Sequence, residues 1–282
     1  MTRLMYDGVS RSDLQRAVGD LRVSVRRRGA ETALADLRQA GCLKVRFPRA
    51  VSAGWIDILT LNTSGGVAGG DRLDSLFQIA EGGRASIAAQ AAERFYRSIQ
   101  GGAPSRVRTR IEVAAGASAE WLPQETILFN QGSVDRRLEV DLADDAWFLG
   151  VESLIFGRLA MGERVADGWF RDVIRIRRGG VLLLHDAIRL EGAIDAALQR
   201  TAIGKGARAV ATVLHVARDA EAALDMVRAA LADAPAECAA SAWNGMLVVR
   251  FLAADGAVLR RAVIAALTVL RAPRPLPRVW VC

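Results

Sequence analysis

Two glycine pairs fall within residues 62–71, Asn-Thr-Ser-Gly-Gly-Val-Ala-Gly-Gly-Asp, between two apolar, strand-like runs. Glycine reaches positive φ without a Cβ penalty, so Gly65, Gly66, Gly69 and Gly70 read first as a tight reversal between strands. Similar punctuation recurs at Gly82-Gly83, Gly101-Gly102, Gly116, Gly132, Gly179-Gly180 and Gly256. Between these breaks, alternation of apolar and polar residues predicts strands over 55–61, 72–80, 85–97, 106–113, 118–122, 125–129, 136–142, 146–156, 169–177, 181–189, 209–216 and 246–253. Residues 31–39 fit either a short helix or an edge strand leading into 43–48. Only two segments read as helix. One is 220–232 with Asp219 as N-cap; the other is 257–270, after which Pro273, Pro275 and Pro277 end helical structure. No βαβ rhythm is present, so the fold class is α+β, predominantly β, with many short strands and two helices in the C-terminal third. Residues 1–18 are polar and aperiodic and predict a mobile tail; 19–282 show no composition break and predict a single β-rich domain.

An apolar share of 51% suffices for a sizeable core in 282 residues. The longest apolar stretch, 262–270, is too short to span a bilayer and is flanked by Arg261 and Arg271. Arg3, Asp7, Arg11, Asp13 and Arg16 leave no apolar signal segment at the start, which predicts a cytoplasmic protein with no membrane partner. Cys42, Cys238 and Cys282 are widely spaced and odd in number, which fits a reducing compartment and argues against a disulfide framework or structural zinc. The net charge of +7 comes from arginine, with lysine only at Lys44 and Lys205. A basic chain invites a nucleic-acid reading, but Arg26-Arg27-Arg28 is the only dense run and no aromatics interleave with it.

Enzyme signatures are sparse. The glycine stretch lacks the Gly-Lys-Ser/Thr of a phosphate-binding loop, and no nucleophile elbow occurs. His185 and Asp186 are adjacent on a strand and so face opposite ways; a structural or surface role is expected for His185 and for His215.

The informative anomaly is acidic. On the alternate positions Ile87, Ala89, Ala91, Glu93, Phe95, only Glu93 is charged. Glu125 stands out in the same way among Trp121, Pro123, Ile127 and Phe129, and Glu152 among Phe148, Gly150, Leu154 and Phe156. Asp71 shares a face with Leu73, Ser75, Phe77 and Ile79. An unpaired buried carboxylate is costly, so each must pair with an arginine, accept hydrogen bonds, take a proton, or face a hydrated cavity. Four unrelated ion pairs, or a polar interior suited to a divalent cation in transit, both satisfy that requirement.

Several blocks resemble a known family. Residues 62–71 resemble the Asn-Thr-Ala-Gly-Gly-x-x-Gly-Gly-Asp stretch of the urease accessory protein UreD family (also called UreH), with Ser64 where alanine is usual. Residues 90–98, 122–129 and 156–163 resemble its next three blocks, and 243–245 and 276–280 fit its C-terminal third. Residues 130–133 depart from the usual form, and nothing is carried over there. The resemblance implies a non-enzyme, a β-rich scaffold of stacked or superhelical sheets. It implies a protein that binds the urease apoprotein on one side and the UreF–UreG pair on the other. No cofactor is implied as tightly bound; nickel(II) passes in transit, through an internal hydrated passage. On that reading Asp71, Glu93, Glu125 and Glu163 line or gate the path, with Glu152 a further candidate. Nickel takes oxygen donors, and a conduit needs weak, repeated sites. Arg72, Arg94 and Arg158 would hold these carboxylates or the turn in place rather than bind a ligand, and the four glycines would form the turn. The competing readings are a β-rich hydrolase or transferase using an Asp/Glu pair, and a basic nucleic-acid-binding module.

Overall fold

In the computed structural model, residues 15–281 are described. The expected N-terminal tail falls largely outside that range, as does Cys282. Residues 15–18 belong to the body: Ala17 N–H donates to Asp71 Oδ1 at 2.8 Å, and Val18 opens the first strand.

Strands β1 (Val18–Arg28) and β2 (Glu31–Gly41) form an antiparallel hairpin, and β3 (Leu43–Arg46) pairs antiparallel with β4 (Ile56–Asn62). Residues 31–39 are therefore edge strand, not helix. From there the chain alternates between two sheets. β5 (Arg72–Ile79) joins the first sheet; β6 (Arg84–Ala89) joins the second, with short β7 (Glu93–Phe95) beyond it. β8 (Ser105–Val113) returns to the first sheet, β9 (Ser118–Leu122) and short β10 (Thr126–Leu128) to the second. β11 (Ser133–Leu142) and β12 (Trp147–Phe156) repeat the step, and β13 (Gly168–Arg178) and β14 (Val181–Gly192) close the first sheet. Each circuit lays one parallel strand on each sheet, so the ladders β5–β8, β8–β11 and β11–β13 are parallel, as are β4–β6, β6–β9 and β9–β12. Parallel pairing needs long connections, usually helices; here the opposite sheet serves as the crossover.

Helix α1 (Ile194–Gln199), β15 (Ala209–Val216), α2 (Leu224–Ala230), β16 (Glu237–Trp243), β17 (Met246–Ala253), α3 (Gly256–Arg271) and α4 (Arg278–Val281) complete the chain. The described residues so form a seven-stranded and a ten-stranded sheet, both mixed, with four helices, two of seven residues or more, toward the C-terminus. Two apolar cores follow. One lies between the sheets, with Phe77, Ile111, Leu138 and Phe170 meeting Ile87, Phe148 and Leu214. The other lies under the helices, where Val213, Val249 and Phe251 meet Val227, Leu259, Val263 and Trp280. Strand β15 is buried on both faces, Val213 in one core and Leu214 in the other, so its sequence is a continuous apolar run.

Several local readings change. The glycine stretch does not join neighbouring strands; it carries the chain from β4 in the second sheet to β5 in the first. It passes so close to β7 that a Cβ on Gly66 would lie 2.3 Å from the Tyr96 ring, and one on Gly69 2.6 Å from Ser98 Oγ. The single strand expected over 85–97 breaks at 90–92 into β6 and β7. Asp219 makes no side-chain cap; a 3-10 turn, Ala220–Ala223, precedes the shorter α2. Asp255 does cap α3, accepting the Val258 N–H at 2.8 Å. The prolines end α3, but one helical turn, α4, follows them. Strands β1 and β16 and helix α1 were not expected.

Candidate functional site

Register decides which side chains meet between the sheets. In the first sheet Val107, Arg136, Asp172 and Ile188 are successive partners across β8, β11, β13 and β14. In the second, Glu152, Thr212 and Arg250 are partners across β12, β15 and β17, and Glu93, Thr126 and Leu154 across β7, β10 and β12. Alternate residues share a face, so Glu152 lies on the Leu154 side and Asp186 on the Ile188 side.

Facing sheets thus bring charge into the interior. Arg136 Nη1 stands 2.6 Å from Glu152 Oε2 and donates to Thr126 Oγ1 at 2.8 Å. Its Nε and Nη2 donate to Asp172 Oδ1 and Oδ2 at 3.0 and 2.6 Å. The Trp121 indole N–H donates to Glu152 Oε1 at 2.7 Å. Further along, Arg250 Nη1 reaches Asp186 Oδ2 at 2.9 Å.

Two cavities flank this cluster. The larger, about 170 Å³, is lined by Glu93, Asn62, Thr126, Arg136 and Glu152 with an apolar wall of Leu21, Phe95 and Leu138, and reaches the surface at Gly65, Ala91 and Arg94. The smaller, about 20 Å³, is lined by Asp172, Asp186 and Thr212. Arg136 and Glu152 line both. Burial pushes Glu93 above the ordinary glutamic acid value, opposed by the Asn62 amide at 3.1 and 3.2 Å from its oxygens. Burial also pushes Glu152 up, against the pull of Arg136. Burial alone would push Arg136 down, but Asp172 and Glu152 hold its charge firmly in place. A row of oxygen donors, Glu93, Glu152, Asp172 and Asp186, so runs between the sheets.

The other acidic candidates lie elsewhere. Asp71 is buried but lines neither cavity; its carboxylate accepts the Ala17 and Ala68 N–H groups and ties the glycine crossover to β1. Glu125 takes Arg260 at 2.8 Å, and Arg260 also binds Val279 O and stacks on Trp280, tying α3 and α4 to the sheet. Glu163 takes Arg158 at 2.7 Å and the Asn130 and Arg158 N–H groups, which outweigh its burial and hold it low. Arg158 thus holds a carboxylate; Arg72 and Arg94 make no ion pair among the described residues. His185 meets Arg175 on an edge strand, and buried His215 bonds Phe148 O and packs on Trp147. Arg136, Asp172 and Asp186 were missed. The signal was there: in β11 the inward set is Val134, Arg136, Leu138, Val140, Leu142, and Arg136 is its one charge.

Fold and site together define a helix-capped, two-sheet β protein with an acid-lined interior cavity. The UreD urease accessory protein family profile matches residues 17–281. "Urease accessory protein UreD" of Azorhizobium caulinodans is 44% identical over 266 residues, covering 94% of this chain and 97% of that protein. The protein of the same name from Dinoroseobacter shibae is 46% identical over 268 residues, 95% of this chain and 93% of its own length. That of Xanthobacter autotrophicus is 44% identical over 266 residues, 94% and 90%. The chain belongs to the UreD urease accessory protein family and so serves urease maturation.

Proposed function

We propose that this protein is a non-catalytic cytoplasmic scaffold that joins apo-urease to the UreF–UreG pair and passes nickel(II) between the sheets toward urease. The observation that carries this reading is the row Glu93, Glu152, Asp172 and Asp186 along two cavities that share Arg136 and Glu152 in their walls. Oxygen donors in series suit a divalent cation that must be bound weakly and released. Among the described residues no group of three or more histidine, cysteine, aspartate or glutamate side chains could hold a metal ion. Asp71, Glu125 and Glu163 serve as fasteners of the surrounding loops and helices. A hydrolase would need two free acids facing a substrate; Glu152 is engaged by Arg136 and Trp121. A nucleic-acid surface would need unneutralised guanidinium groups, yet on the outer face of the first sheet Arg38, Arg106, Arg110 and Arg175 each pair with a carboxylate. No helix among the described residues is long and apolar enough to cross a membrane.

The test is urease nickel content after co-expression with Glu93→Ala, Glu152→Ala or Glu163→Ala. Nickel per urease should fall several-fold for the first two and stay near wild type for the third, with UreF and urease still co-purifying. Full nickel loading by both cavity variants would overturn the route.

A further inference from the structure

Arg136 is chemically odd for a conduit. It lines both cavities, and the groups that hold its guanidinium are Glu152 Oε2, both Asp172 oxygens and Thr126 Oγ1. These four oxygens converge on one permanent cation. Arginine does not lose its proton in a protein, so the positive charge there is fixed. Without it, two carboxylates and a hydroxyl would face a common space between the sheets, a donor set that favours a divalent cation.

We propose that Arg136 is the selectivity residue of this passage, a built-in competitor that keeps the Glu152–Asp172–Thr126 oxygens from trapping a divalent cation. The proposal rests on the conduit reading for its purpose, but not for its test. A cation arriving from the Glu93 side meets carboxylates already neutralised in part by the guanidinium. It takes their oxygens only while Arg136 gives them up, and the returning guanidinium expels it by like-charge repulsion. Passage therefore needs no strong site, and an ion without enough charge to displace a guanidinium, such as sodium or potassium, gains nothing there. The cluster carries two negative charges against one positive, which leaves the attraction needed to draw a divalent ion in.

The test is calorimetric titration of the purified full chain with nickel(II) alone. Arg136→Gln removes the competitor and should bind one nickel on the order of a hundredfold more tightly than wild type. Arg136→Lys keeps a charge and should stay near wild type. Arg136→Gln combined with Asp172→Asn removes an acid as well and should lose most of the gain. If Arg136→Gln is unstable because two acids are left facing each other, nickel should raise its melting temperature while leaving that of wild type unmoved. Absence of both tighter binding and thermal rescue in Arg136→Gln would overturn the proposal. So would a gain that survives Asp172→Asn. Urease takes no part in these measurements, so their outcome is independent of whether nickel delivery uses this route.

Discussion

Among the described residues two buried acid–guanidinium clusters lie on opposite faces of the ten-stranded sheet. In one, Arg136 lies between Glu152 and Asp172 and both cavities touch it. In the other, Glu120 takes Arg271 bidentately at 2.9 Å and Arg274 at 2.6 Å, and Arg274 stacks 3.8 Å over Trp55 and 5.3 Å from Trp147. The first has two acids per guanidinium; the second has two guanidinium groups per acid, with Asp57 nearby and pushed up by burial. None of Glu120, Arg271 and Arg274 lines either cavity. The same pairing chemistry thus serves two ends. Excess acid beside a void suits a moving cation, whereas excess guanidinium under aromatic lids fastens the end of α3 to the sheet.

This contrast breaks if both clusters respond alike to mutation. The largest expected effect is at the fastener. Glu120→Ala leaves Arg271, 1% exposed, without its counter-charge, and should cost about 3–5 kcal/mol in guanidinium chloride unfolding. A loss below about 1 kcal/mol would show that the cluster does not hold the junction. Next comes the other end of the same helix. Asp255→Ala removes the α3 cap and should cost about 1 kcal/mol by the same measurement. Full stability would mean that the cap adds nothing to the hold that Arg260 and Arg271 already have on the helix.

The smallest effect belongs to the cavity side. Glu93 is held above its ordinary value of 4.5, chiefly by burial. The folded state therefore binds its proton more tightly than the unfolded chain does, and stability falls as pH rises from the unfolded value toward the folded one. Glu93→Gln should remove that loss. The variant and wild type should match in acid, then separate in favour of the variant above about pH 4.5, where the unfolded glutamate ionises. Curves that separate the opposite way would mean Glu93 is stabilising as an anion.

Much of this was legible in the chain. Alternation found most strands, and the charged residue on an apolar face found Glu93 and Glu152. The same rule fits Asp172 beside Phe170 and Ile174, and Asp186 beside Leu184 and Ile188. Arg171 and Arg175 occupy the alternate, less buried face of β13, so charge recurs along that strand and its inward acid does not stand out. What strand periodicity cannot give is which sheet a strand joins. The chain alternates sheets at every circuit, so Arg136 and Glu152 meet through register between strands far apart in space order. Glu125 and Glu152 looked equivalent by pattern, yet only Glu152 reaches the cavity, because Glu125 sits just before β10 where Arg260 of α3 covers it.

The most direct measurement of a route between the sheets leaves every acid in place and fills the space. Ser75 stands in the rung Leu21, Ser75, Thr109, Leu138 that walls the larger cavity. Nickel content of urease matured with Ser75→Phe should fall to the level found without this chain, while the variant stays folded and retains UreF and urease. Full nickel content with the cavity filled would contradict passage between the sheets.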